Sequence, residues 1–176
     1  MINKGEIMTT AVNKQTETSE KEIVITREFK APRDLVWRAW NEPEHVAKWF
    51  GPQGFTTRVE SQDFRTGGKW EYVMIGPDGV EYPFGGVYLE IDPIEKVVST
   101  DEFGEEFKER NPDVPKITSV TTLFEDHGKT TRVVINTLHA SAEDRKKHED
   151  MGVEAGWNSS FEKLDDYLAE VQKQDR

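Results

Sequence analysis

The sequence predicts an α+β fold in which an antiparallel sheet covers one face of a long C-terminal helix. Three patterns carry that expectation. Trp157, Phe161, Leu164, Leu168 and Val171 recur at spacings of four, three, four and three, an apolar stripe that leaves Glu162, Lys163, Asp165 and Asp166 largely outside it. From Phe55 to Leu138 the period shifts toward two, and turn signals recur at Thr66-Gly67-Gly68, Gly76-Pro77-Asp78-Gly79, Asp92-Pro93 and Asp126-His127-Gly128-Lys129, the pattern of an antiparallel meander. Upstream, the run from Ala31 to Pro52 holds three of the five Trp residues in two proline-started helical turns that end at Gly51-Pro52.

Residues from Met1 to about Glu20 are rich in Thr, Lys, Glu and Asn with scattered single apolar groups, too few to offset ordering entropy, and are expected to form a flexible tail (1–20) before one domain (21–176). Lys21 to Lys30 sets Ile23, Ile25 and Phe29 against Val24, Thr26 and Glu28, a strand. Pro32 suits the first turn of a helix, where its missing N–H has no intrahelical partner, and Leu35, Val36, Ala39 and Trp40 then share a face. Pro43 restarts the helical pattern, and Gly51 followed by Pro52 supplies a left-handed cap and a stop. Six strands follow at about 55–63, 68–75, 81–91, 95–103, 117–125 and 130–138. Gly104 to Lys116, polar and with two prolines, is too long for a tight hairpin and is expected to be a mobile loop at a cavity mouth or a surface excursion. Ser141 with Glu143 and Asp144 reads as the N-cap and acidic first turn of the last helix, which Gly152 and Gly156 thin or interrupt.

At 176 residues one domain suffices, and a chain of this size buries roughly 70% of the surface its unfolded form exposes. The 34 acidic against 23 basic residues leave a net charge of −11, which repels phosphate backbones and anionic headgroups, so neither nucleic acid nor membrane is an expected partner. The chain has no cysteine, which excludes disulfides, thiolate metal sites and cysteine nucleophiles. No apolar run approaches the roughly 18 residues of a membrane helix and the N-terminal stretch lacks a secretory apolar region, so a cytoplasmic location is expected.

One ordered set of motifs is specific: Ile25-Thr26-Arg27-Glu28-Phe29-Lys30-Ala31-Pro32, Val36-Trp37, Trp49-Phe50-Gly51-Pro52, Asp63-Phe64-Arg65-Thr66-Gly67-Gly68-Lys69-Trp70, Gly76-Pro77-Asp78-Gly79 and Gly156-Trp157. In order and spacing the chain resembles the activator of heat-shock-protein-90 ATPase homologue-like family of the START-like (SRPBCC) superfamily, over about Glu22 to Leu168. The resemblance implies a helix-grip fold, a curved sheet wrapped around the long helix with two short helices after the first strand, and an apolar cavity that takes hydrophobic small molecules, lipids among them, in several relatives. It does not imply one substrate. Other members of the superfamily are cyclases or hydratases. The eukaryotic namesake is a co-chaperone with an additional N-terminal domain, and that domain has no counterpart in this sequence, so ATPase stimulation is not expected.

Within that frame the candidate cavity residues are Trp49, Phe50, Arg65, Trp70, Tyr72, Phe84, Tyr88, Trp157 and Phe161, because apolar pockets are lined by aromatic groups with a few polar ones for orientation. The competing reading is that these aromatics fill the core. Trp70, Tyr72 and Met74 share one strand face and Tyr82, Phe84, Gly86 and Tyr88 another, while Gly85 and Gly86 leave room for a close approach. Arg65, flanking Phe64 opposite Asp63, is a candidate to orient a polar ligand head or, alternatively, to brace the turn as an ion pair. Gly152 and Gly156 offer either a flattened surface for a ligand or close helix packing.

No pair among His45, His127, His139 and His148 has the i, i+4 spacing of a helical metal site, so no metal and no cofactor are expected. Glu71, Glu81 and Glu90 lie on strands as solvated groups without an evident catalytic partner. Phosphate-loop, nucleophile-elbow and dinucleotide signatures are missing, and no residue set identifies a reaction. The leading expectation is therefore binding of a hydrophobic or amphipathic small molecule. The alternatives are a chaperone-directed interaction module and a cyclase- or hydratase-type enzyme using Arg65 or a buried Glu in the same cavity.

Overall fold

The computed structural model describes residues 14–175. The chain runs through strands Lys14–Thr18 (β1) and Glu22–Phe29 (β2), helices Arg33–Asn41 (α1) and Pro43–Trp49 (α2), and strands Thr56–Gln62 (β3), Lys69–Ile75 (β4), Glu81–Asp92 (β5), Lys96–Ser99 (β6) and Glu102–Phe103 (β7). A short helix Glu105–Arg110 (α3), strands Ile117–His127 (β8) and Thr130–His139 (β9), and helices Ala142–Asp150 (α4) and Val153–Gln174 (α5) complete it. Among the described residues the strands form one nine-stranded sheet in the order β1-β2-β9-β8-β6-β5-β4-β3, with β7 pairing β5. Every pairing is antiparallel.

Two differences from the sequence reading have local causes, and a third feature follows one of the alternatives it offered. β1 occupies part of the segment expected to be a flexible tail: Lys14 to Thr18 pair with Arg27 back to Ile23. Main-chain hydrogen bonding at an open sheet edge needs no apolar alternation, and KQTET offers none. Residues 1–13 of that expected tail lie outside the described residues. The segment from Gly104 to Lys116 opens with α3, whose Phe107 stacks on Phe103 with ring centres 4.9 Å apart. Of the thinning or interruption that Gly152 and Gly156 offered, the last helix shows interruption at Gly152, which takes φ +84°, a left-handed conformation that breaks the hydrogen-bond ladder and leaves two helices. Ser141 caps α4 as its sequence suggested, accepting from Asp144 N–H at 3.1 Å.

α5 is held to the sheet by its stripe and by polar clamps. Phe161, Leu164 and Leu168 are buried, and Phe161 meets Phe29 of β2 edge-on at 5.4 Å. Beside them Arg27 of β2 donates to Asp165 at 2.6 Å, with its guanidinium 5.7 Å from the Phe161 ring centre. Lys163 Nζ donates to the carbonyls of Gly51 and Phe55 at 3.1 and 3.0 Å, fixing α5 against the exit of α2. Gly51 has φ +97° there, which a side chain would strain.

α1 and α2 form an elbow beneath one end of α5. Pro32 stands at the N-cap position of α1, one residue before the helical run, and its carbonyl accepts from the Leu35 and Val36 N–H groups. The C-terminal carbonyls of α1 find partners without a continuing helix. Glu42 N–H bonds Arg38, the Asn41 amide bonds Trp37, and the Trp49 indole bonds Ala39 at 2.8 Å. Register shifts in β3, β5 and β8 bend the sheet over this elbow.

Candidate functional site

Between the sheet, the α1–α2 elbow and α5 lies a two-chambered cavity. The inner chamber, about 90 Å³, is walled chiefly by aromatic rings: Trp40, Phe50, Trp70, Tyr72, Phe84 and Trp157. The outer chamber, about 250 Å³, runs past Met74, Phe103, Ile117, Val153 and Gly156 toward the surface. Phe50, Phe84, Asp101 and Trp157 border both, so the chambers meet at these four side chains. Together they reach the lower end of the roughly 300–1,000 Å³ that small-molecule sites occupy.

Strand register explains the wall. Tyr72 of β4 stands opposite Phe84 of β5, and Trp70 opposite Gly86, so alternate residues of both strands turn their rings to one face. Phe84 lies edge-on to Trp70 and Tyr72 at 5.7 and 5.8 Å and parallel to Phe50 at 5.8 Å. From α5, Trp157 stacks on Phe161 at 5.4 Å and faces Trp40 at 6.1 Å. The glycines of β5 admit backbone, not ligand. A Cβ on Gly86 would stand 2.1 Å from the Thr100 carbonyl oxygen and one on Gly85 2.4 Å from that of Trp70. Gly156 is the opposite case, since a Cβ there meets nothing within 4 Å and the residue lies on the outer chamber wall.

The polar groups of the cavity are few. The Tyr88 hydroxyl accepts from the Gln62 amide at 2.9 Å, and that amide also donates to the Asn41 carbonyl at 2.7 Å. Burial pushes the Tyr88 and Tyr72 phenols up, the latter helped by its Tyr88 neighbour, so both stay protonated. The Trp70 indole N–H is buried without a hydrogen-bond partner.

Asp101 is the residue the sequence reading missed. The inward positions of the β6–β7 segment are Val97, Ser99, Asp101 and Phe103, every second residue, and each lines one or both chambers. Thr100 locks the segment: its N–H donates to the Val87 carbonyl at 2.9 Å, its hydroxyl accepts from Val87 N–H at 2.8 Å, and its carbonyl fills the space that Gly86 leaves. Among the described residues no hydrogen bond or ion pair reaches the Asp101 carboxyl. It is half-buried because it fronts the cavity, yet protein encloses it closely enough that desolvation, with a smaller push from the Glu102 charge, lifts its pKa to about 7. His148 lines the outer chamber, and burial next to His139 pushes it down to about 4. Among the described residues no Lys or Arg lines either chamber.

Of the residues singled out from sequence, Phe50, Trp70, Tyr72, Phe84, Tyr88 and Trp157 stand on the cavity wall. Three do not. Trp49 is fully buried in the α1–α2 elbow with its N–H committed to Ala39, and Phe161 is core beneath the cavity floor. Arg65 has a side chain 69% exposed and pairs with Asp63 at 2.8 Å, bracing the turn that leads to Gly67 and Gly68. Glu71, Glu81 and Glu90 are exposed, so none is the buried carboxylate an enzyme reading required. No group of metal-ligating side chains gathers among the described residues, and no helix there is long and apolar enough to cross a membrane.

An antiparallel sheet closed on a long C-terminal helix, with a cavity between them, is the helix-grip architecture. The sequence matches the family described as Activator of Hsp90 ATPase homolog 1-like protein over residues 30–169, and the chain belongs to that family. Solved structures agree. A protein from Arthrobacter aurescens is similar at 27% identity, covering 89% of this chain and 91% of its own, with a TM-score of 0.81. One from Mycobacterium smegmatis is similar at 29% identity over 89% of this chain and 95% of its own, with a TM-score of 0.77. CalU16 from Micromonospora echinospora, at 19% identity over 92% and 86% with a TM-score of 0.58, shares the fold alone. The search of curated proteins gives no match.

Proposed function

We propose that this domain binds a small apolar or amphipathic molecule in the cavity between the sheet and α5. The observation that carries the reading is the pair of connected chambers walled by the rings of Phe50, Trp70, Tyr72, Phe84 and Trp157. Removing a ligand's apolar surface from water supplies about 25 cal/mol per Å² toward binding, and the few polar groups on the wall select its orientation. Sequestration needs nothing further from the protein.

The test uses Nile red, an uncharged dye. It is expected to bind at one site per chain and to be displaced by naphthalene derivatives. Phe84→Ala is expected to weaken the dye about fivefold or more, roughly 1 kcal/mol, with a smaller effect on the urea midpoint, because Phe84 borders both chambers and is only half-buried. A dye signal that Phe84→Ala leaves unchanged places binding elsewhere and defeats the reading.

A catalytic reading draws on one observation, that the Asp101 carboxyl, unpaired among the described residues, and the His148 ring line the same outer chamber; burial lifts the first to about 7 and leaves the second neutral, which suits proton transfer near neutral pH. It requires a turnover that Asp101→Asn abolishes while Nile red affinity stays the same. Equal turnover in both proteins removes Asp101 from any such role.

A further inference from the structure

We infer that the cavity's ligand carries a protonated amine on an aromatic or other compact apolar body, with Asp101 as its counter-ion. The inference rests on the cavity-binding reading and names the class of molecule that reading leaves open. Its ground is the one-sided chemistry of the wall. Among the described residues Asp101 is the only acidic side chain there, it stands where the two chambers meet, and no Lys or Arg pairs with it. Phe50, which borders the same junction, has its ring centre 5.8 Å from that of Phe84 and 5.6 Å from that of Trp157, and an aromatic face attracts a cation within about 6 Å.

A fatty or aromatic carboxylate would find the reverse. It would meet Asp101 and the ring faces with no Lys or Arg of the described residues on the wall to neutralise it, and would approach a protein of net charge −11. A neutral alcohol would gain the apolar contact alone. A protonated amine satisfies the carboxylate, so the isolated charge that destabilises the empty protein becomes half of an ion pair when the ligand is bound. The groups facing Asp101 do not duplicate this effect: Glu102 from β7 adds negative charge, Tyr72 of β4 and Tyr88 of β5 stay protonated, and His148 of α4 is neutral at and above about pH 5.5.

Calorimetric titration of the full chain with 1-naphthylmethylamine, 1-naphthylmethanol and 1-naphthoate tests the inference. At about pH 8 the amine is expected to bind at least about tenfold more tightly than the alcohol, and the carboxylate most weakly. Lowering the pH to about 5.5 protonates Asp101 and is expected to bring the amine to the alcohol's affinity, which itself stays constant. Asp101→Asn is expected to do the same at about pH 8. Because it removes a desolvated charge, it should also melt higher than the wild type there, which separates a lost counter-ion from a lost fold. Alcohol and amine binding equally, or naphthoate binding most tightly, would overturn the amine assignment and leave the cavity reading intact. Binding of none of the three would overturn both.

Discussion

Trp49→Ala is expected to cost about 3–5 kcal/mol of stability, the loss seen when a fully buried aromatic is truncated in a core that relaxes only in part. Trp49 has no exposed surface, its ring lies 4.8 Å from Trp40 and 5.5 Å from Phe50, and its N–H satisfies the Ala39 carbonyl at the end of α1. Trp49→Phe keeps most of the packing but strands that carbonyl, so it should cost about 1–3 kcal/mol. Trp157→Ala should cost less than Trp49→Ala, since Trp157 is half-buried and already borders empty space. Urea unfolding of the three variants gives the order directly. A Trp157→Ala loss equal to that of Trp49→Ala would mean that Trp157 is core and that the inner chamber is closed.

That contrast marks the limit of what the residues disclosed. The stripe from Trp157 to Val171 and the turn signals of the meander were legible because periodicity is a backbone property, and they located the sheet, the helix and most strand ends. Whether an aromatic fills a core or walls a cavity is a property of tertiary neighbours. Trp49, Phe50 and Phe161 share one composition and separate only when α1, α2 and α5 meet. Arg65 found its partner two residues away at Asp63, a local pairing weighed from the sequence, whereas the Arg27–Asp165 clamp joins residues 138 apart and left no local trace. Asp101 was within reach. The strand expected at about 95–103 already put Val97, Ser99, Asp101 and Phe103 on one face, and a carboxylate among inward positions is the anomaly that should have been followed. β1 gave no such signal, since an edge strand of polar residues pairs through its main chain.

Acidification is expected to remove about 2–3 kcal/mol of stability through His148 of the His139–His148 pair, and His148→Gln is expected to abolish that contribution. His139 is buried at the end of β9 with Nδ1 2.9 Å from the Lys21 carbonyl and Nε2 2.9 Å from His148 Nδ1. A carbonyl can only accept, so His139 Nδ1 carries its proton and Nε2 is left as an acceptor for His148 Nδ1–H. This arrangement belongs to two neutral rings, the state that burial favours. A proton added to His139 Nε2 would turn that acceptor into a second donor, and one added to His148 would be held in a desolvated site. Burial accordingly lowers the pKa of both, His148 to about 4, with Asp144 and Arg145 acting on His139 in opposite directions. The unfolded chain takes up these protons near pH 6.5 and the folded chain only further down, so the stability is fully present above about pH 6.5 and is lost as the pH falls toward about 4. Asp101 works against this slope, because its raised pKa makes the folded state the better proton acceptor between the ordinary carboxylate range and about 7. The two therefore offset each other in the wild type, and the comparison belongs in the Asp101→Asn background. There, stability measured by urea unfolding between about pH 7 and pH 4.5 should fall by 2–3 kcal/mol more with His148 than with Gln at that position. A Gln side chain still reaches His139 Nε2 with an N–H but does not titrate. Parallel curves for the two proteins would show that His148 titrates no differently in the folded and unfolded chains.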